Sequence, residues 1–258
     1  MKTNVSNIKK IFNQVIFLNS KSSTNINKEY FLSFFWIIFS PLLVMISWGF
    51  MKSLKIINVS NLEVPYTYFV LYNFVFFSLF KELVSLPRST ISGYLGNSDA
   101  YRFLFASEFI HRLLNVGRDF LIRFLVLILV AQYYSVSPNF IINEVLGFLC
   151  IVIFSISFGF LIAPFLMCIK DLSKLWSLIF PYTIFISPVF YKIPFDTTNS
   201  IFKVILYNPL SYLLGMMQSS YISYNYDFIP ILLWITFFST IYIAIFFIFF
   251  KKRLQILH

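Results

Sequence analysis

Charge is what this sequence has least of. Only 12% of its 258 residues are Asp, Glu, Lys or Arg, and just ten residues are acidic. A water-soluble chain of that length needs many more polar side chains to cover its surface. Glycine is scarce too, at seven residues, and no G-x-x-x-x-G-K-[ST] phosphate loop occurs, so ATP has no ordinary cradle here. H-E-x-x-H, a nucleophile elbow and paired carboxylates are also missing, and no catalytic residue is assigned. The two cysteines, Cys150 and Cys168, share one apolar stretch without a His or Cys at ligand spacing. They read as free, membrane-buried thiols, and no metal site is expected. No cleavable leader is visible either, because the first apolar run begins near Tyr30, after a polar stretch, and is long enough to span.

What is present is apolar surface. Hydrophobic residues make up 59% of the chain and aromatics 21%, and the mean hydropathy is +0.81. Lipid can solvate what water cannot, which predicts an all-α integral membrane protein. The net charge of +10 flanks the apolar runs and forms no stripe interleaved with aromatics, so no nucleic-acid partner is expected.

A helix crosses the hydrocarbon core in about 20 apolar residues. Six stretches meet that need, at about 30–50, 66–83, 120–136, 145–169, 175–191 and 228–250. Arg123 is expected to snorkel from near a helix end. The acidic residues Glu29, Glu63, Glu82, Asp119, Glu144, Asp171 and Asp227 fall at span edges or beyond, leaving the span centres free of charge. That argues against ion-coupled transport and intramembrane catalysis, both of which need ionisable groups inside the bundle. With the N-terminus in the cytoplasm, only Lys52, Lys55, Lys192 and Lys203 of the 20 basic residues lie outside. This positive-inside bias predicts six transmembrane helices and two cytoplasmic termini.

Three segments are not spans. In the N-terminal region, 1–29, Ile8, Ile11, Phe12, Val15 and Ile16 form an apolar stripe beside Lys9 and Lys10, predicting an amphipathic helix in the interface plane. It reads as a topological anchor or as a docking element. Pro87 to Asp119 reads as a long cytoplasmic connection with a Ser-Gly-rich start at Ser89 and a short surface helix; His111 in it reads as a solvated loop histidine. Tyr191 to Asp227 is rich in apolar residues but broken by Asn208-Pro209, which predicts two re-entrant half-helices between spans five and six. The membrane domain thus covers 30–250, and 251–258 is a cytoplasmic tail.

The order of these features resembles the permease subunits of type-2 ABC exporters that move polysaccharide, namely the O-antigen, capsule and teichoic acid permeases. The resemblance rests on a basic amphipathic start, Trp36 and Pro41 in the first span, and a long loop between spans two and three. It rests further on Lys170-Asp171-Leu172 after span four, Ile186-Ser187-Pro188-Val189-Phe190-Tyr191, and Tyr207-Asn208-Pro209-Leu210. Two positions depart from the family pattern: Lys170 stands where Arg is usual, and Leu104-Phe105-Ala106-Ser107 lacks the frequent Phe-Pro pair.

The resemblance implies a homodimer with two copies of a cytoplasmic ABC ATPase subunit, which carries the ATP and Mg; this chain itself has no cofactor. It implies an undecaprenyl-linked glycan as substrate, in contact with membrane lipid in the bacterial cytoplasmic (inner) membrane. ATPase coupling would fall to Arg88, Ser89, Tyr94, Asn97, Arg102, Lys170 and Asp171. The translocation path or outer gate would involve Trp36, Tyr182, Ser187, Pro188, Tyr191, Tyr207, Asn208 and Pro209. The alternatives are a type-2 permease for a smaller drug or lipid cargo and a membrane-embedded glycosyl- or acyltransferase.

Overall fold

The computed structural model describes residues 11–18, 29–57, 62–96, 105–136, 142–192 and 208–218, and the single positions 205, 237, 240, 241 and 244. All regular structure among the described residues is helical. In chain order the helices are α1 (11–18), α2 (Glu29–Ser53), α3 (Tyr66–Gly96), α4 (Phe105–Tyr133), α5 (Ile142–Cys168) and α6 (Lys170–Ile179). A 3-10 turn (Phe180–Tyr182), the one-turn α7 (Thr183–Ile186) and α8 (Pro209–Gln218) follow. Among the described residues, three stretches are long and apolar enough to cross a membrane: Phe34–Ser53, Tyr66–Gly93 and Val145–Cys168.

The bundle is organised around α3. In its most apolar stretch 78% of the residues are buried, against 6% in α2. α3 is therefore an interior helix, apolar nearly all round, while α2 is peripheral and turns Trp36, Ile46 and Phe50 outward. Lipid tails are as apolar as leucine, so helices that meet inside a bilayer gain by close packing and polar links, not by leaving water. Gly159 on α5 shows the packing term. A Cβ there would lie 2.5 Å from the Val84 carbonyl oxygen and 3.0 Å from the Pro87 ring. The bare glycine lets α5 close on α3 where Pro87, lacking an N–H, interrupts the α3 ladder.

Two expected boundaries shift. α3 does not stop near residue 83 but runs through Pro87 to Gly96, and α4 begins at Phe105, well before residue 120. Most of the expected loop is thus helix. Its hydroxyls bond back onto α3 instead of breaking it: Ser89 Oγ and Thr90 Oγ1 both donate to the Leu86 carbonyl at 2.9 Å. Thr90 and Ile91 are buried, so packing overrides weak local propensity. The same back-bonding satisfies Ser157, through Ile153 O at 2.6 Å, inside α5.

The fifth expected span is not one helix. Ile169 is extended (φ −117°, ψ 102°) and separates α5 from α6. Pro181 then lies in the 3-10 turn, and Ser187 is extended (φ −95°, ψ 145°), as a residue before proline prefers. Of the sixth expected span, only residues 237, 240, 241 and 244 are described, and they are helical.

With so few glycines, helix ends are closed by other residues. Lys55 (φ 58°) follows α2 and Ser135 (φ 54°) follows α4 in the left-handed region. In each case a six-to-one bond closes the end, Ile56 N to Met51 O and Val136 N to Ala131 O. At the other side of the bundle α1 rests on the start of α4, where buried Ser107 donates to Gln14 Oε1 at 2.7 Å. Val15 is buried while Phe12 and Ile16 stay exposed. An apolar face of this kind suits the membrane interface.

Candidate functional site

Irregular backbone at membrane depth is tolerated only where protein satisfies its polar groups. Residues 187–190 are irregular, and all four are buried within the protein. Each carbonyl in it finds a donor. Ser187 O accepts from Val189 N at 2.7 Å, and Pro188 O accepts from Gln218 Nε2 at 2.7 Å. Val189 O takes a long contact from Asn73 Nδ2 at 3.4 Å, and Phe190 O accepts from Tyr66 Oη at 3.0 Å. Val189 N is the segment's own; the other three donors come from α3 and α8, so the segment is clamped from two sides.

α8 supplies the second half of this site. Asn208 caps it, its Oδ1 accepting from Leu210 N at 3.1 Å, with Pro209 at the first helical position. The Asn208 amide then donates to Ser187 Oγ at 3.2 Å, joining the two proline-marked segments. Nearly all of α8 is buried, and ten residues at 1.5 Å each give about 15 Å, half a hydrocarbon core. Its far end is held by Tyr72 Oη, which donates to Met217 O at 3.2 Å. Gln218 is wholly buried and also donates to Asn73 Oδ1 at 3.0 Å, while its own Oε1 has no partner. Trp48 of α2 closes the outer side by stacking on Phe190, with centroids 3.8 Å apart.

Of the residues named for the outer gate, Ser187, Pro188, Asn208 and Pro209 therefore meet in one cluster. Tyr191 lies beside it and donates to Phe185 O at 3.1 Å. Tyr182 is exposed and stacks on Phe185. Trp36 is apart from the cluster, exposed on α2 against Phe35 and Phe39. Tyr207 lies outside the described residues.

The residues named for ATPase coupling are more dispersed. Arg88 Nη2 donates to Ser173 Oγ of α6 at 2.5 Å, tying α3 to α6. Ser89 makes only the local bond described above. Lys170 and Asp171 begin α6, both exposed; Asp171 lies 3.9 Å from Lys174, a surface pair that contributes little. Tyr94 is in the last turn of α3. Asn97 and Arg102 lie outside the described residues.

One sequence expectation is corrected. The apolar stretch Tyr66–Gly93 runs past the expected span 66–83 and holds Lys81, Glu82 and Arg88 in its second half. Arg123 does not snorkel from a helix end. It sits well inside α4, and its Nη2 is 2.6 Å from Glu82 Oε1, with side chains only 12% and 26% exposed. Its Nη1 also donates to Ser78 Oγ at 3.2 Å. Beside this pair, α3, α5, α6 and the 3-10 turn border a partly open cavity of about 280 Å³, lined among others by Lys81, Glu82, Arg88 and Trp176.

Sequence reasoning missed Asn73, Gln218, Trp48 and the Glu82–Arg123 pair. A lone amide amid an apolar run is the signal that marks Asn73, since such groups require partners in lipid. No family model and no curated protein matches this chain.

Proposed function

We propose that this chain is the membrane-spanning permease subunit of an ABC exporter that moves lipid-linked polysaccharide of the O-antigen or capsule type across the bacterial cytoplasmic membrane. It works as a homodimer driven by two copies of a separate ATPase subunit. Six spans with both termini in the cytoplasm, and two re-entrant half-helices before the last span, belong to this reading. The observation that carries it is the Asn208–Ser187 hydrogen bond. It joins two of the motifs that carry the family resemblance, and it does so between a half-length buried helix and a buried irregular segment. A gate beside a passage needs that combination: backbone that does not span, held by polar links that can be exchanged.

The chain supplies positioning, not chemistry. Asn208, Asn73 and Gln218 hold the outer segment through neutral hydrogen bonds, each of which contributes only about 1 kcal/mol net. Such bonds can open and close under a partner's ATP cycle. The test is deletion of the gene followed by a search for lipid-linked glycan retained in the cytoplasm. Complementation by N208A/P209A should restore the assembled protein but not export. Normal surface glycan in the deletion strain would refute the polysaccharide reading and favour a smaller drug or lipid cargo.

A further inference from the structure

The inner cavity takes no part in the outer cluster, and its chemistry is of a different kind. Its α5 wall is apolar, formed by Ile162, Ala163 and Leu166. Its α3 wall carries Lys81 and Arg88, one helical face apart by two turns. Trp176 of α6 borders the cavity, held by its stack on Phe180 at 4.5 Å between centroids.

The charge on the cavity does not balance. Glu82 lines it, but its charge is already matched by Arg123. Among the described residues no carboxylate pairs with Lys81 or Arg88. Arg88 has spent Nη2 on the neutral Ser173 hydroxyl and keeps the rest of its fork. Two cations without anions, beside an apolar wall in a helix that can cross a membrane, make a favourable place for an anion that brings an apolar portion with it. A volume of about 280 Å³ admits a head group and little more, at the low end of small-ligand sites, which run from about 300 to 1,000 Å³.

We propose that this cavity binds the phosphate group of an amphipathic ligand, with Lys81 and Arg88 on the phosphate and Trp176 with the α5 wall against the portion next to it. Planar guanidinium suits bidentate phosphate contact, and the Lys81 ammonium adds a mobile point charge. The inference rests on the chain being membrane-embedded and does not depend on polysaccharide being the cargo.

The full chain in an uncharged maltoside detergent tests it by titration with farnesyl diphosphate, farnesol and inorganic diphosphate. Farnesyl diphosphate should bind saturably and farnesol should not. Removing either cation, by K81Q or R88Q, should weaken binding about tenfold or more, while R88K, which keeps the charge and loses the fork, should fall between the parent and R88Q. Lys81 is exposed, so K81Q leaves the fold intact, and K170Q on exposed Lys170 serves as the charge control. Binding of inorganic diphosphate as tight as farnesyl diphosphate would overturn the amphiphile part and assign the site to free phosphate. Farnesyl diphosphate binding unchanged in K81Q and R88Q would overturn the site itself. Either failure leaves the export phenotype of the deletion strain untouched, so the two readings fail separately.

Discussion

Replacing Glu82 by leucine should unfold this protein more readily than almost any other single change on α3. The substitution removes the carboxylate 2.6 Å from Arg123 and leaves a guanidinium, 12% exposed, with only Ser78 to bond. Two unit charges about 4 Å apart attract by about 4 kcal/mol at an effective dielectric of about 20. Losing one partner of a buried pair costs about 3–5 kcal/mol, most of it the stranded charge. The unfolded chain in a micelle also finds polar partners, which favours the lower figure, about 3 kcal/mol. Arg123→Leu should cost a similar amount, stranding Glu82, whose Oε2 already lacks a partner.

The double variant E82L/R123L decides the matter. If the loss in each single variant is the penalty of an unmatched charge, removing both should return stability to within about 1 kcal/mol of the parent, because apolar replacement of a buried pair is often neutral. Unfolding in mixed micelles with increasing denaturing detergent, followed by circular dichroism, measures all four proteins. The expected coupling energy is about 3 kcal/mol or more. A double variant as unstable as the sum of the two singles would refute the reasoning. It would mean that the residues matter for their volume or for separate contacts.

Other outcomes follow from the same packing and hydrogen bonds. Gln218→Leu should cost about 1–3 kcal/mol in the same assay, because it leaves Pro188 O and Asn73 Oδ1 without their donor inside a buried cluster; an unchanged midpoint would count against the clamp. Gly159→Ala should cost about 1–3 kcal/mol by forcing α5 off the Val84 carbonyl, whereas Gly117→Ala, with nothing within 4 Å of the new Cβ, should stabilise α4 by about 0.5–1 kcal/mol. Equal effects of the two glycine substitutions would remove the close-approach argument. His111 is held below its ordinary 6.5 by burial, with Glu108 opposing and Arg112 and Arg118 reinforcing. The unfolded chain therefore takes up the proton first, so wild type should lose stability relative to H111Q only as pH falls from about 6.5 through the folded midpoint. A ring-proton titration by NMR with a midpoint above 6.5 would contradict that sign.

How much of this was legible depends on whether the signal is local. Apolar length is local, so the stretches near 30–50, 66–83 and 145–169 read as membrane helices and are helical. The breaks at Pro188 and Asn208 are local too, since proline restricts the residue before it and asparagine caps the helix that follows. The Pro87–Asp119 segment misled because proline, serine and glycine punctuate chains whose backbone can turn to water. Between packed helices Ser89 and Thr90 have no better acceptor than Leu86 O, and the same residues prolong α3. The Glu82–Arg123 pair could not be read from either stretch alone, because each charge looked like a span edge until α3 and α4 were both found to be longer. Asn73 and Gln218 lie 145 positions apart and were each an unremarked amide. Both donate to backbone carbonyls at the break, Val189 O and Pro188 O, so the break that sequence marks and the amides it passes over are two halves of one requirement: a buried chain that stops being helical must draw its donors from elsewhere in the fold.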